Sequence, residues 1–135
     1  MTVAGQPSLT SVVKVIIETV ILADGECVGA DSARRFDHMA AKVKAEGDLG
    51  RELAAVRHHP SRYEAVWAHI MTLWETPDPV KFYPDPKTEL DDFALFEQHI
   101  MARDFIYTRK MKGDEAAYDM ADRAATLPTL WRKQQ

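Results

Sequence analysis

Glu97 and Asp104 are the residues of this chain with the most chemical promise. They stand two helical turns apart, so a helix through them brings both carboxylates to one side. That side also carries Leu90, Phe93, Ile100, Tyr107 and Met111, an apolar stripe that the two acids border. A buried carboxylate without compensation costs several kcal/mol, so each acid needs a cation, a metal or a proton. Inward carboxylates on helices are how di-iron bundles hold their metals, with a Glu-x-x-His signature. Here Glu97-Gln98-His99 turns the imidazole to a different side. A metal or small-ligand site, with enzymatic chemistry as an option, therefore needs a histidine from another helix, and His69 is the candidate. The plainer arrangement is a pair of acids bridged to Arg or Lys of a neighbouring helix, and it is the favoured one.

The other candidates for chemistry are weaker. None of His38, His58, His59, His69 and His99 stands at i+3 or i+4 from another His or Cys, so no zinc spacing is present. His38 and His99 fall opposite their helices' apolar stripes and are expected in solvent. His58-His59, before Pro60, reads as a polar turn. Cys27 lies among Asp24, Glu26 and Asp31, and neighbouring acids oppose a thiolate. The two glycines around it do not make a phosphate loop, because no Gly-Lys-Ser/Thr follows, and the acids depart from EF-hand order. Cys27 is expected to behave as a small hydrophobe. No catalytic residue and no cofactor is expected.

Binding surfaces are the alternative to chemistry. The helix of Glu97 is apolar on a second side, at Leu95, Ala102 and Ile106. Such a helix is either central in a bundle or covered by a partner chain. Four of the seven prolines fall within 76–87, together with Phe82 and Tyr83. Prolines fix φ and bias the preceding residue away from helix, so this is a stiff connector. It acts either as a strap over the bundle or as a recognition arm. Trp131, beyond Pro128, is a further anchor. Phe82, Tyr83, Leu95, Ile106 and Trp131 are the expected partner-binding residues.

These side chains are positioned by helices. Leu9, Val12, Val13, Ile16, Ile17, Val20 and Ile21 recur at helical spacing, which predicts a helix over 8–23 although β-branched residues favour strands. Asp24-Gly25 would end it. Further helices are predicted over 31–46, ended by Gly47, and over 49–57. A fourth covers 61–75, opened by a Ser61–Glu64 capping box. A fifth covers 88–112, capped by Thr88 and closed by Gly113, and a sixth covers 114–126. Residues 1–6 and 132–135 are expected to be flexible ends.

The chain has 135 residues, one domain's worth, with 46% hydrophobic and 28% charged residues. That composition belongs to a folded globular chain. A net charge of −4, with basic residues interleaved among acids, speaks against nucleic acid. One cysteine cannot form an internal disulfide. No apolar run has the length of a membrane span, and the first residues lack the basic start of a signal peptide. A cytoplasmic location is expected.

The segment Ile21-Leu22-Ala23-Asp24-Gly25-Glu26, as a helix ending before a second helix, resembles tellurite-resistance TerB-type helical domains. The likeness covers those residues alone. The second acidic segment of such domains has no counterpart here, and no function is carried over.

The expectation is an all-α, compact bundle of five to six helices in a single domain, 1–135, with one long proline-rich loop. Its expected role is a non-catalytic protein-binding module, a regulator, inhibitor or small assembly subunit. Its expected partner is another protein, a second copy in a homodimer included. The alternative is a ligand- or metal-binding bundle using Glu97, Asp104 and His69.

Overall fold

Small residues decide how this chain packs. In the computed structural model, which describes residues 20–29, 35–76 and 87–132, helix α1 (Arg35–Ala55) runs straight through Gly47 and Gly50. The predicted break at Gly47 is absent, and the helices expected over 31–46 and 49–57 are one. Glycine inside a helix costs about 1 kcal/mol against alanine, so tertiary packing must favour continuity. Gly50 shows how: a Cβ there would sit 2.8 Å from the Ala121 carbonyl oxygen and 2.9 Å from the Ala124 Cβ. The backbones of α1 and helix α4 (Asp114–Ala125) meet where neither presents a bulky side chain.

Helix α2 (Tyr63–Glu75) follows a short 3-10 turn, Pro60–Arg62. That turn replaces the predicted capping box. Arg62 occupies the cap position with no side-chain bond, and the Tyr63 N–H donates to the Pro60 carbonyl. Helix α3 (Leu90–Lys112) is capped at Glu89 rather than Thr88, again without a side-chain bond. Gly113, at φ +95°, makes the elbow into α4, a conformation that favours glycine.

The four helices share one core. Leu49, Leu53 and Val56 of α1 meet Val66, Trp67, Ile70 and Leu73 of α2, Ala102 and Phe105 of α3, and Ala117, Tyr118 and Ala121 of α4. Each large apolar side chain buried there contributes about 1.5–3 kcal/mol. The end of α1 is latched to α4 by Arg57. Its guanidinium donates to Asp122 at 2.6 Å, Asp119 at 2.9 Å and Glu115 at 3.2 Å, three acids in a row on α4.

The predicted first helix is corrected where the structure describes it. Val20–Ile21 is a strand, β1, paired antiparallel with β2, Cys27–Val28. Extended backbone suits β-branched residues such as Val20 and Ile21, and the turn between the strands is built by Asp24-Gly25. The Glu26 N–H donates to Asp24 Oδ1, and Gly25 adopts φ +91°. A Cβ on Gly25 would lie 2.3 Å from the Thr129 carbonyl oxygen, so glycine is required twice over. The rest of that predicted helix, 8–19, lies outside the described residues. The likeness to TerB-type domains goes with it, because Ile21–Glu26 is a hairpin and not a helix end. The fold is mostly helical, with four α-helices among the described residues.

Candidate functional site

The two sides of α3 have opposite fates. One side is core: Ala102 and Phe105 are fully buried, and Met101 and Ile106 pack against them. His99 joins that side. It is buried, and its Nδ1 lies 2.9 Å from the Leu73 carbonyl oxygen, in the last turn of α2. Carbonyls in a last helical turn lack helix partners, so an N–H from His99 acts as a cap supplied from another helix. The Trp74 ring lies tilted against the imidazole, with the ring centres 5.0 Å apart. The expectation of a solvated His99 is thereby overturned. His38 is also corrected: it is half-buried, with Nε2 2.8 Å from the Thr88 carbonyl oxygen and its ring edge-on to Phe93.

The other side of α3 faces out. At about 100° per residue, Phe96, Ile100, Tyr107 and Met111 form one line along it. Phe96 and Ile100 are half-buried, Tyr107 is 64% exposed and Met111 60% exposed. Arg103 and Lys110 flank this line and Asp92 lies near its start, all three exposed. Between Ile100 and Tyr107 the line is crossed by the exposed pair Arg103 and Asp104. Single apolar residues are scattered over any protein surface, whereas an aligned apolar set with charged flanks marks an interaction site.

The two residues expected to meet a partner on the second side, Leu95 and Ile106, have different surroundings. Ile106, expected to meet a partner, is turned to the core. Leu95, the other residue expected there, is 38% exposed and lines an open groove of about 510 Å³ between α1 and α3, opposite Ala41 and Ala45. Trp131 is 40% exposed and is held at the hairpin. Its Nε1 donates to the Asp24 carbonyl, and its backbone bridges to Glu26. Phe82 and Tyr83 lie outside the described residues. Phe96 was not singled out from sequence, although its spacing of four from Ile100 was a usable signal.

The three residues considered for metal have separate partners. His69 Nδ1 lies 2.8 Å from Glu52 of α1. Asp104 is exposed and accepts from its chain neighbour Arg103. Glu97 lies 3.8 Å from Lys42 of α1, the interhelical bridge of the plainer reading. Among the described residues no group of three His, Cys, Asp or Glu is placed to hold a metal ion. Cys27 is buried, in keeping with a small hydrophobe.

Glu97 does have unusual electrostatics. Burial raises its carboxyl above the ordinary range, Lys42 opposes that rise, and Glu46 adds to it. An acid with a raised folded-state pKa binds its proton more tightly in the folded chain. Its contribution to stability is present at low pH and is lost as pH rises through that folded-state pKa. Glu97→Gln is therefore expected to raise the melting temperature at pH 7 and to lose that advantage below about pH 4, where the carboxyl is protonated in both states. Thermal melts of both proteins at the two pH values check this, and a lowered melting temperature at pH 7 contradicts it.

No helix among the described residues is long and apolar enough to cross a membrane. No protein-family model, no curated protein and no solved structure matches the chain.

Proposed function

We propose that this chain is a protein-binding module that docks its partner on the outer face of α3. The observation that carries the reading is the line Phe96, Ile100, Tyr107, Met111, with its last two residues more than half exposed. Tyr and Met are enriched at the centres of protein interfaces, and Tyr supplies a large contact area at low entropic cost. The helix beneath is fixed by Ala102 and Phe105 in the core, so the face is preorganised and binding loses little to ordering. Such a module acts as a regulator, an inhibitor or an assembly subunit. A cytoplasmic setting fits a chain with a lone cysteine.

The test is site-specific photo-crosslinking in the native host. A photoreactive side chain at position 107 is expected to give a discrete adduct with a protein. The same probe at Ala65, exposed on α2, is expected to give none. No adduct from position 107, or one formed wholly within a single chain, overturns the proposal.

A further inference from the structure

The charges along α3 say which partner fits its outer face. The helix begins with Asp91 and Asp92 and ends with Arg109, Lys110 and Lys112. Acids at the start and bases at the end favour any helix through its dipole. Asp92 and Lys110, however, also lie on the outward side beside the apolar line, and both are exposed. Two such helices laid antiparallel complement each other.

The register follows from helix geometry. A two-fold axis on the outer face, level with Met101 and Ala102 along the helix, sets Asp92 of one chain against Lys110 of the other. It sets Phe96 against Tyr107, and it places Ile100 and Arg103 at the centre. An isologous contact of this kind repeats each pair twice. Aromatic residues then meet aromatic residues, and acid meets base at both ends. We propose that the outer face of α3 pairs antiparallel with the same face of a second copy of this chain. The proposal rests on the docking reading above and names its partner. A contact centred on one helix is at the small end of specific interfaces, so the affinity expected is micromolar.

Sedimentation equilibrium of the full chain over a range of concentrations tests it. The mass is expected to rise from 15.3 kDa towards twice that value. Asp92→Lys puts lysine against lysine in both repeats, and Lys110→Asp puts aspartate against aspartate. Each alone is expected to weaken pairing about tenfold or more. An equimolar mixture of the two variants is expected to restore pairing, because each chain of the mixed dimer then faces an opposite charge at both ends. Lys112→Asp, which carries the same dipole cost away from the outer line, is expected to leave pairing unchanged. Melting temperatures within a few degrees of the parent show that the variants fold.

A chain that stays at 15.3 kDa throughout, or a mixture that pairs no better than either variant alone, overturns the antiparallel dimer. If position 107 then cross-links to a different protein, the docking face stands and its occupant is that protein. If position 107 gives no protein adduct, both proposals fall together.

Discussion

Phe105→Ala is expected to lower the unfolding free energy by about 3–5 kcal/mol, the usual cost of emptying a buried aromatic site. Phe105 is fully buried among residues from all four helices. The cavity left there cannot collapse without moving several helices at once. A single domain has about 5–15 kcal/mol in total, so this substitution removes a large part of it. Urea unfolding followed by tryptophan fluorescence measures the loss. Trp67 is a suitable reporter, 3% exposed with the Arg109 guanidinium 3.8 Å from its ring centre. Tyr107→Ala, two residues along, is the control. At concentrations where the chain is monomeric it is expected to cost no more than about 0.5 kcal/mol, as exposed positions do. Equal losses at the two positions would mean that the sides of α3 have been misassigned.

Gly50→Ala is expected to destabilise the fold by about 1–3 kcal/mol, the range for overpacking a tight contact. Helix propensity alone predicts a gain of about 1 kcal/mol. Sterics win because the atoms in the way include the Ala121 carbonyl oxygen at 2.8 Å and the Ala125 nitrogen at 3.1 Å. Backbone cannot swing aside as a side chain does. Gly47→Ala supplies the contrast within the same helix. Its nearest obstacle is the far end of the Arg51 side chain, 3.1 Å away, which can move. That substitution is expected to raise stability, by up to about 1 kcal/mol. Opposite signs at two glycines one turn apart are the signature of the α1–α4 crossing. The same sign at both positions contradicts it.

The long helices were legible in the sequence because their apolar residues recur at helical spacing over many turns. The segment 88–112 and its closing Gly113 were read almost to the residue. What was lost depended on contacts between elements. Gly47 read as a stop because a glycine's local preference is visible and the alanines of α4 that accommodate its neighbour Gly50 are not. The strand Val20–Ile21 was absorbed into a helix because its apolar residues fit both periods over so short a span. It is fixed by its partner strand, whose start at Glu26 and Cys27 is itself held by Trp131, far away in sequence. The capping box failed for a similar reason: a proline-led 3-10 turn satisfied the start of α2 before Ser61 was needed.

At the candidate site, sequence showed that this helix is apolar on two sides but not which side is inward. The large residues Leu90, Phe93, Ile100, Tyr107 and Met111 suggested a core stripe. Size misled here, because the small residue Ala102 is fully buried in the core while Tyr107 and Met111 are exposed. Phe105 and His99 belong to the same inner side, and their inward position depends on the core and on the Leu73 carbonyl. The bridge between Glu97 and Lys42 agrees with the plainer reading of that acid. Asp104 departs from it, since its cation is its own neighbour Arg103.

The division of α3 into a folding side and a docking side is tested most directly by an aspartate scan along the helix, read as thermal melts by circular dichroism. The account predicts that Ala102→Asp and Phe105→Asp abolish the cooperative helical melt, because each buries an unpaired charge. It predicts that Tyr107→Asp and Met111→Asp keep a melt within a few degrees of the parent's. Loss of the melt at positions 107 and 111 would show that this face is already packed within the chain and has no room for a partner.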